Sequence, residues 1–146
     1  MTNARDIMHS GAQWIPAHET LDRAAQLMRE HKVGALPISA NGDRDRMVGI
    51  LTDRDIVLAV VAEGRLPAAT RVEEVMCRHV ITGRATDTLM DAAMKMAEAS
   101  IRRLPILDGQ GRMVGLVSVD DLLVILITEL SNISAAIAGP SKILTT

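Results

Sequence analysis

Among its 146 residues the sequence has one cysteine, one tryptophan, no tyrosine and no phenylalanine. The single cysteine, Cys77, excludes an internal disulfide and a cysteine-based metal cluster, and it is typical of a protein of the reducing cytoplasm. Proteins that bind single-stranded nucleic acids stack bases on aromatic side chains, and one tryptophan cannot supply a row of them. A net charge of −2, without a long basic run, also argues against a nucleic-acid partner.

Targeting and membrane segments are not evident either. The first ten residues include an acid and no apolar segment, which is unlike a signal peptide. The apolar stretch 122–127 is far shorter than a membrane span, so we expect no membrane contact.

Signatures of catalysis are also missing. The four histidines, at positions 9, 18, 31 and 79, form no i, i+4 pair and no HExxH arrangement, so no metal site is predicted. Cys77 lacks the sequence context of a catalytic thiol. The chain has neither a G-x-x-x-x-G-K-[ST] loop nor a G-x-G-x-x-G motif. We therefore predict that the protein is not an enzyme.

The chain contains an internal duplication, which is the first feature to look for in a sequence. Three motifs occur twice, the first two pairs 68 residues apart and the third 66 residues apart. The two-residue difference falls in an intervening turn, where changes of length are tolerated. The pairs are T-L-x-x-A-A-x-x-M-x-E at 20 and 88, L-P-I at 36 and 104, and R-M-V-G at 46 and 112.

Each copy predicts a short strand, a helix, two strands and a second helix. After Thr20 and Thr88, apolar residues recur at i, i+3, i+4 and i+7, which predicts an amphipathic helix. Turn residues between the apolar strands predict a hairpin. The second helices begin at Thr52 and Ser118 and end at Gly64 and at Gly139-Pro140. The predicted strands are 14–16, 35–39 and 46–51 in the first copy, and 79–82, 103–107 and 112–117 in the second.

One copy of this size has little core of its own, so we expect an α+β fold in which two sheets stack with pseudo-two-fold symmetry. We divide the chain into 1–66 (first repeat with its N-terminal segment), 67–127 (second repeat) and 128–146 (extension of the last helix and the tail), with a linker at 64–72. The last helix, 119–138, is apolar around most of its circumference. It either packs on its own domain or forms a homodimer surface, and we favour the homodimer because large apolar patches rarely face water.

The order and the motifs resemble the CBS-domain family, named after cystathionine β-synthase, over about residues 4–127. After the last strand of each repeat that family has the pattern small-apolar-x-Thr/Ser-x-x-Asp, and both repeats of this sequence carry it. The resemblance implies a stand-alone pair of CBS repeats that binds an adenine nucleotide such as AMP, ATP or NAD as a regulatory ligand, without a required cofactor. It also implies a homodimer. The segments that carry the resemblance are 33–38, 47–56, 101–106 and 113–122.

By this resemblance the two strand-to-helix turns are expected to bind the nucleotide. Thr52 and Ser118 stand at helix N-termini, where a hydroxyl and backbone N–H groups can bind phosphate. Asp55 and Asp121 can accept hydrogen bonds from ribose hydroxyls. Helix capping alone explains the same four residue types, so that alternative stays open.

Further residues are expected around these turns. An arginine can hold a phosphate through two hydrogen bonds, although arginines before the L-P-I motif can also form a solvated edge. Trp14 can stack on a base or pack, and we favour packing. The candidates for phosphate contacts are Arg54, Arg102 and Arg103. The candidates for the adenine walls are Ile15, Pro16, Val80 and Ile81.

Two classes of function are therefore open. The first is an adenine-nucleotide sensor that acts as a homodimer. The second is a structural or stress-response dimer with vestigial clefts, which acts through protein partners. The Thr/Ser-x-x-Asp motif occurs in both copies, and this favours the sensor.

Overall fold

Both repeats fold into the same arrangement of helices around a three-stranded sheet. The structure, a computed structural model, describes residues 2–11 and 13–140. The elements up to the linker are α1 (Ala4–Ile7), β1 (Ile15–Pro16), α2 (Leu21–His31), β2 (Ala35–Ala40), β3 (Asp43–Thr52) and α3 (Asp53–Val57), which continues as a π-helical turn (Leu58–Ala62). After a 3₁₀ turn (Val72–Glu74) follow β4 (Gly83–Arg84), α4 (Leu89–Ala99), β5 (Arg103–Leu107), β6 (Met113–Ser118) and α5 (Val119–Ala138).

The two sheets have the same topology, which confirms the predicted order of elements. The strand orders are β1-β2-β3 and β4-β5-β6, with the first pair parallel and the second antiparallel in each sheet. The first strand of the second repeat was predicted at 79–82, and this is wrong. It lies at Gly83–Arg84, because Gly83 pairs with Ile106 as Ile15 pairs with Ile38, at the same 68-residue offset.

Each sheet covers a small aliphatic core. In the first repeat, Leu36 and Leu51 are fully buried between the hairpin and α2. In the second repeat, Leu104, Ile106 and Val117 are equally buried. The middle strands β2 and β5 are buried at consecutive positions, so both faces of each are covered.

The segment that precedes each repeat completes the core of the other repeat. Ala4 of α1 is fully buried in the core of the second repeat, and its N–H donates to the carbonyl of Asp87 at 2.9 Å. Val72, in the leading segment of the second repeat, is fully buried in the core of the first repeat. The two repeats are thereby interlocked, and the boundary at residues 66/67 stays a prediction.

The same exchange of leading segments forms a backbone bridge to the last strand of each sheet. His9 exchanges two hydrogen bonds of 2.9 Å with Leu116 on β6. At the equivalent place in the other repeat, Cys77 exchanges two bonds of 3.0 and 2.9 Å with Ile50 on β3. A third link joins the hairpins, where the Arg112 guanidinium lies 3.3 Å from the carboxylates of Asp43 and Asp45.

Helix α5 is largely exposed. It begins at Ser118 and ends at Gly139, as predicted, and none of its 20 residues is buried. Among the described residues it is the one helix that is long and apolar enough to cross a membrane, with a mean hydropathy of 1.7. Length and composition alone are weak evidence of a membrane span, because core helices of water-soluble proteins can be equally long and apolar. The expectation of no membrane contact stays a prediction.

The bridges leave no room for a side chain beneath them, which generates a first prediction. A Cβ added at Gly49 would lie 2.8 Å from the carbonyl oxygen of Cys77 and 2.7 Å from Sδ of Met76. The three atoms nearest to a Cβ at Gly115 would be side-chain atoms of Met8, at 2.7 to 3.0 Å. We expect Gly49→Ala to lower the free energy of unfolding by about 1–3 kcal/mol, and Gly115→Ala to cost less because a side chain can rotate.

Urea unfolding of the two variants measures this difference. Gly109→Ala is the control, since a Cβ there would meet nothing within 4 Å and the change should stay within about 0.5 kcal/mol. Equal losses for the variants at 49 and 115 would contradict the role assigned to the Cys77 carbonyl.

A second prediction concerns Asp87, which joins β4 to α4. Its Oδ2 accepts hydrogen bonds from Lys95 Nζ at 2.6 Å and from the N–H of Arg84 at 3.0 Å. Partial burial pushes the pKa of Asp87 upward, but these two bonds and the lysine charge outweigh it, so the pKa lies below its usual value. A lowered pKa stabilises the fold above the pKa of the unfolded chain, and this stability is lost as the pH falls through the folded pKa.

We therefore expect Asp87→Asn to reduce stability by about 1 kcal/mol at neutral pH, or roughly 3 °C in the thermal midpoint. The difference from the wild type should shrink below about pH 4, where the wild-type carboxylate also gains a proton. Thermal melts from neutral to acid pH test this, and a difference that persists unchanged in acid would refute it.

Candidate functional site

The two strand-to-helix turns face one cleft between the repeats. A cavity of about 420 Å³ is open to both turns and is lined by residues of both repeats, including Thr52, Asp53, Arg102, Arg103, Ser118 and Asp120. A neighbouring cavity of about 440 Å³ is lined by His9, Ser10, Gly11, Arg103, Leu116 and Ser118. Cavities of this size suit small-molecule ligands.

In the first repeat the turn forms a reciprocal helix cap. Thr52 Oγ1 accepts a hydrogen bond from the N–H of Asp55 at 3.2 Å, and Oδ2 of Asp55 accepts one from the N–H of Thr52 at 2.9 Å. The N–H of Asp53 donates to the carbonyl of Gly34 at 2.9 Å. The capping role that the sequence left open is therefore present. Thr52 and its counterpart Ser118 line the central cavity, whereas neither Asp55 nor Asp121 is among the residues that line either cavity.

In the second repeat the aspartate is held differently. Ser118 Oγ accepts from the N–H of Asp121 at 3.1 Å and also donates to Oδ2 of Asp121 at 2.7 Å. The same Oδ2 lies 3.0 Å from Nε2 of His9. Partial burial pushes the pKa of Asp121 upward, but the bonds from Ser118 and His9 and the charge on the imidazole leave the pKa below its usual value.

The three arginines occupy different places. Arg103 lines both cavities and can face an anion in either. Arg102 lines the central cavity and forms an ion pair with Asp120 at 3.4 Å, with both side chains more than three-quarters exposed. Arg54 is exposed on α3 and is not among the residues that line these two cavities.

The residues expected to wall the adenine lie away from these cavities. Ile15 is 1% exposed and belongs to the core of the first repeat, because its pairing with β2 turns it inward, so its side chain offers no surface to a ligand. Pro16 pairs with β2 beside it, and Val80 and Ile81 lie between the Cys77 bridge and β4. Trp14 is partly buried.

The apolar surfaces that the structure does place in the cavities come from the last strands. Ile50 of β3 lines the central cavity, and Leu116 of β6 lines its neighbour. They are equivalent positions of the two repeats, and each is bridged by an incoming segment. Sequence reasoning missed them and His9, although the 66-residue and 68-residue offsets relate the bridged pairs His9–Leu116 and Cys77–Ile50.

The CBS-domain family model matches this chain over residues 4–62 and 72–128, which covers both repeats. A CBS domain-containing protein of Bacillus subtilis, YhcV, is 40% identical over 138 residues, 94% of this chain and 93% of its own. Among solved structures, Hypoxic Response Protein I with two coordinated zinc ions is similar with a TM-score of 0.76 and 39% identity, over 86% of this chain and 99% of that one.

A ligand-bound CBS pair is also similar. The domain pair of protein MJ0100, in complex with 5′-methylthioadenosine and S-adenosyl-L-methionine, has a TM-score of 0.74 and 27% identity over 86% of this chain and 99% of that one. In the part of the present chain that the structure describes, no three His, Cys, Asp or Glu side chains are grouped so that they could hold a metal ion.

Proposed function

Because this chain belongs to the CBS-domain family, we propose that it is a regulatory module that binds an adenine nucleotide between its repeats and acts as a homodimer. As such a module it has no reaction of its own and works in the cytoplasm. Its ligand is AMP, ATP, NAD or a related adenosine compound. The observation that carries the proposal is the meeting of two Thr/Ser-x-x-Asp turns at one cleft of ligand size.

The geometry of the turns is compatible with a ribose on each aspartate. A carboxylate has two oxygens and about four acceptor positions. The cap in the first repeat uses Oδ2 of Asp55, and in the second repeat the contacts converge on Oδ2 of Asp121. Helix capping and ligand binding can therefore share one side chain, so the cap does not argue against the ribose role.

Phosphates would lie toward the arginine side of the cleft. Arg103, placed between both cavities, is the best situated cation, and Arg102 can join it if Asp120 is displaced from the ion pair. Arg54 stays a candidate for a longer ligand that extends past Thr52. The MJ0100 pair, which carries two adenosine compounds, supports this ligand class.

We expect thermal shift and calorimetry with AMP, ADP, ATP, NAD and S-adenosylmethionine to identify a ligand, since occupancy at 100 times the dissociation constant adds about 2.7 kcal/mol to stability. Asp55→Asn should weaken one site and Asp121→Asn the other. Each loses a charge-assisted bond to ribose, for which about 1.5–3 kcal/mol corresponds to a 10- to 150-fold weaker affinity.

Asp91→Asn is the matched control. Asp91 forms the same reciprocal cap with Thr88 at the start of α4, with both bonds at 3.0 Å, and it belongs to neither of the two strand-to-helix turns at the cleft. This variant should lose cap stability and keep ligand affinity. Unchanged affinity in both cleft variants would refute the ribose assignment, and a flat response to the whole panel would favour the structural dimer that acts through protein partners.

The homodimer part of the proposal rests on the helices. A groove of about 630 Å³ between α4 and α5 has an almost entirely apolar lining, and Leu126, Leu130, Ile133 and Ile137 of α5 are each more than half exposed. Spaced four, three and four residues apart, these four side chains form one stripe along the helix. A second copy of the chain, packed helix against helix, would cover the stripe and the groove together.

We expect a mass near twice 15.7 kDa by light scattering, and a shift toward monomer in Leu130→Asp. The control Asn132→Asp adds the same charge two residues away, about 200° around the helix from that leucine, and should leave the dimer intact. A monomeric wild type would refute the dimer, and binding of the chain to lipid vesicles instead would assign the stripe to a membrane surface.

A further inference from the structure

His9 distinguishes the two halves of the cleft, which are called here the first cleft (at the turn Thr52–Asp55) and the second cleft (at the turn Ser118–Asp121). It occupies in the second cleft the place that Cys77 occupies in the first, and both backbones are fixed by paired hydrogen bonds to the last strand of a sheet. The side chains then behave differently. Nε2 of His9 reaches Oδ2 of Asp121 at 3.0 Å, whereas Sγ of Cys77 donates to the carbonyl of His79 at 3.4 Å and leaves Asp55 in its cap.

The contact changes how the carboxylate is held. In the first repeat, Asp55 accepts from the N–H of Thr52 and closes the reciprocal cap. In the second, Asp121 makes its side-chain contacts with Ser118 Oγ and His9 Nε2 instead. One of the two carboxylate oxygens, Oδ2, is therefore already engaged by His9, and a ribose whose two hydroxyls bind both oxygens has to displace the imidazole.

We propose that His9 makes ligand binding in the second cleft dependent on pH, by competing with ribose hydroxyls for the carboxylate of Asp121. This inference rests on the proposed nucleotide-binding function and concerns the regulation of that site. The imidazole, 72% exposed, can leave the carboxylate when a nucleoside enters. The first cleft, with Cys77 in the equivalent place, lacks this competitor.

Charged residues of the neighbouring elements surround His9 and bear on the direction of the expected pH dependence. Asp121 on α5 is its direct partner, while Asp120, the next residue on the helix, pairs with Arg102. Arg103 of β5 lines the same cavity as His9. Strand β6, to which His9 is bridged, has no charged residue between 113 and 118.

A protonated imidazole binds a carboxylate more strongly than a neutral one does, because the hydrogen bond then joins two opposite charges. Histidine side chains change charge between about pH 5 and 8. As the pH rises through this range, His9 should release Asp121 more readily, and the affinity of the second cleft for a nucleoside should increase. Since the imidazole is largely exposed and the carboxylate only partly buried, we expect an increase of about three- to fivefold.

The test measures adenosine binding by calorimetry at about pH 5.5 and about pH 7.5, which span most of that range. Adenosine carries the ribose hydroxyls and no phosphate, whose own titration near about pH 6 would otherwise interfere. An Asp55→Asn background confines binding to the second cleft. His9→Gln in that background keeps a neutral donor that does not titrate, and Asp121→Asn alone reports on the first cleft.

The expected result is tighter binding at the higher pH in the Asp55→Asn chain, with no pH dependence in the His9→Gln variant or in the first cleft. Three results would overturn the inference: binding that does not change with pH, a pH dependence that persists in His9→Gln, or no adenosine binding to the Asp55→Asn chain. Failure of the proposed function is recognised separately, as a flat response of the wild type to the whole nucleotide panel.

Discussion

The exchange of leading segments between the repeats is the constraint on which the rest of the structure depends. Ala4 fills the core of the second repeat and Val72 fills the core of the first, so neither repeat has a complete core without the other. The same exchange brings His9 onto β6 and Cys77 onto β3. The last strand of each sheet is therefore bridged by a segment that leads into the other repeat, and these bridged strands line the cleft.

Local signals explain which parts of the fold could be predicted. The spacing of Leu21, Ala24 and Met28 is a property of one helix, and turn residues fix a hairpin within a few positions, so both were placed correctly from the sequence. Strands β1 and β4 have two residues each, too few for a periodic pattern, and the second was misplaced. The contact of His9 with Asp121 spans most of the chain, and no local pattern encodes it.

The residues of the candidate site were predicted only where a local sequence pattern marks them. Thr52 and Ser118 were placed correctly at the helix starts, because an N-cap is recognisable in sequence. Ile15 was expected to contact the ligand. In a strand of two residues, no sequence pattern distinguishes a side chain in the core from one in the cleft. Its burial follows from pairing with β2, which only the assembled sheet decides.

Helix α5 connects the wall of the cleft to a point far from it. The helix starts at Ser118, in the wall of both cavities, and runs 20 residues to Ala138. At 1.5 Å per residue this is about 30 Å, so a tilt of about 10° at the cleft displaces the far end by about 5 Å. Its first turns pack against the core of the second repeat through Val119 and Leu122, whereas every residue from 126 to 138 is exposed. A small rotation at the Ser118 turn would therefore be enlarged into a displacement of several ångströms at the far end of the helix.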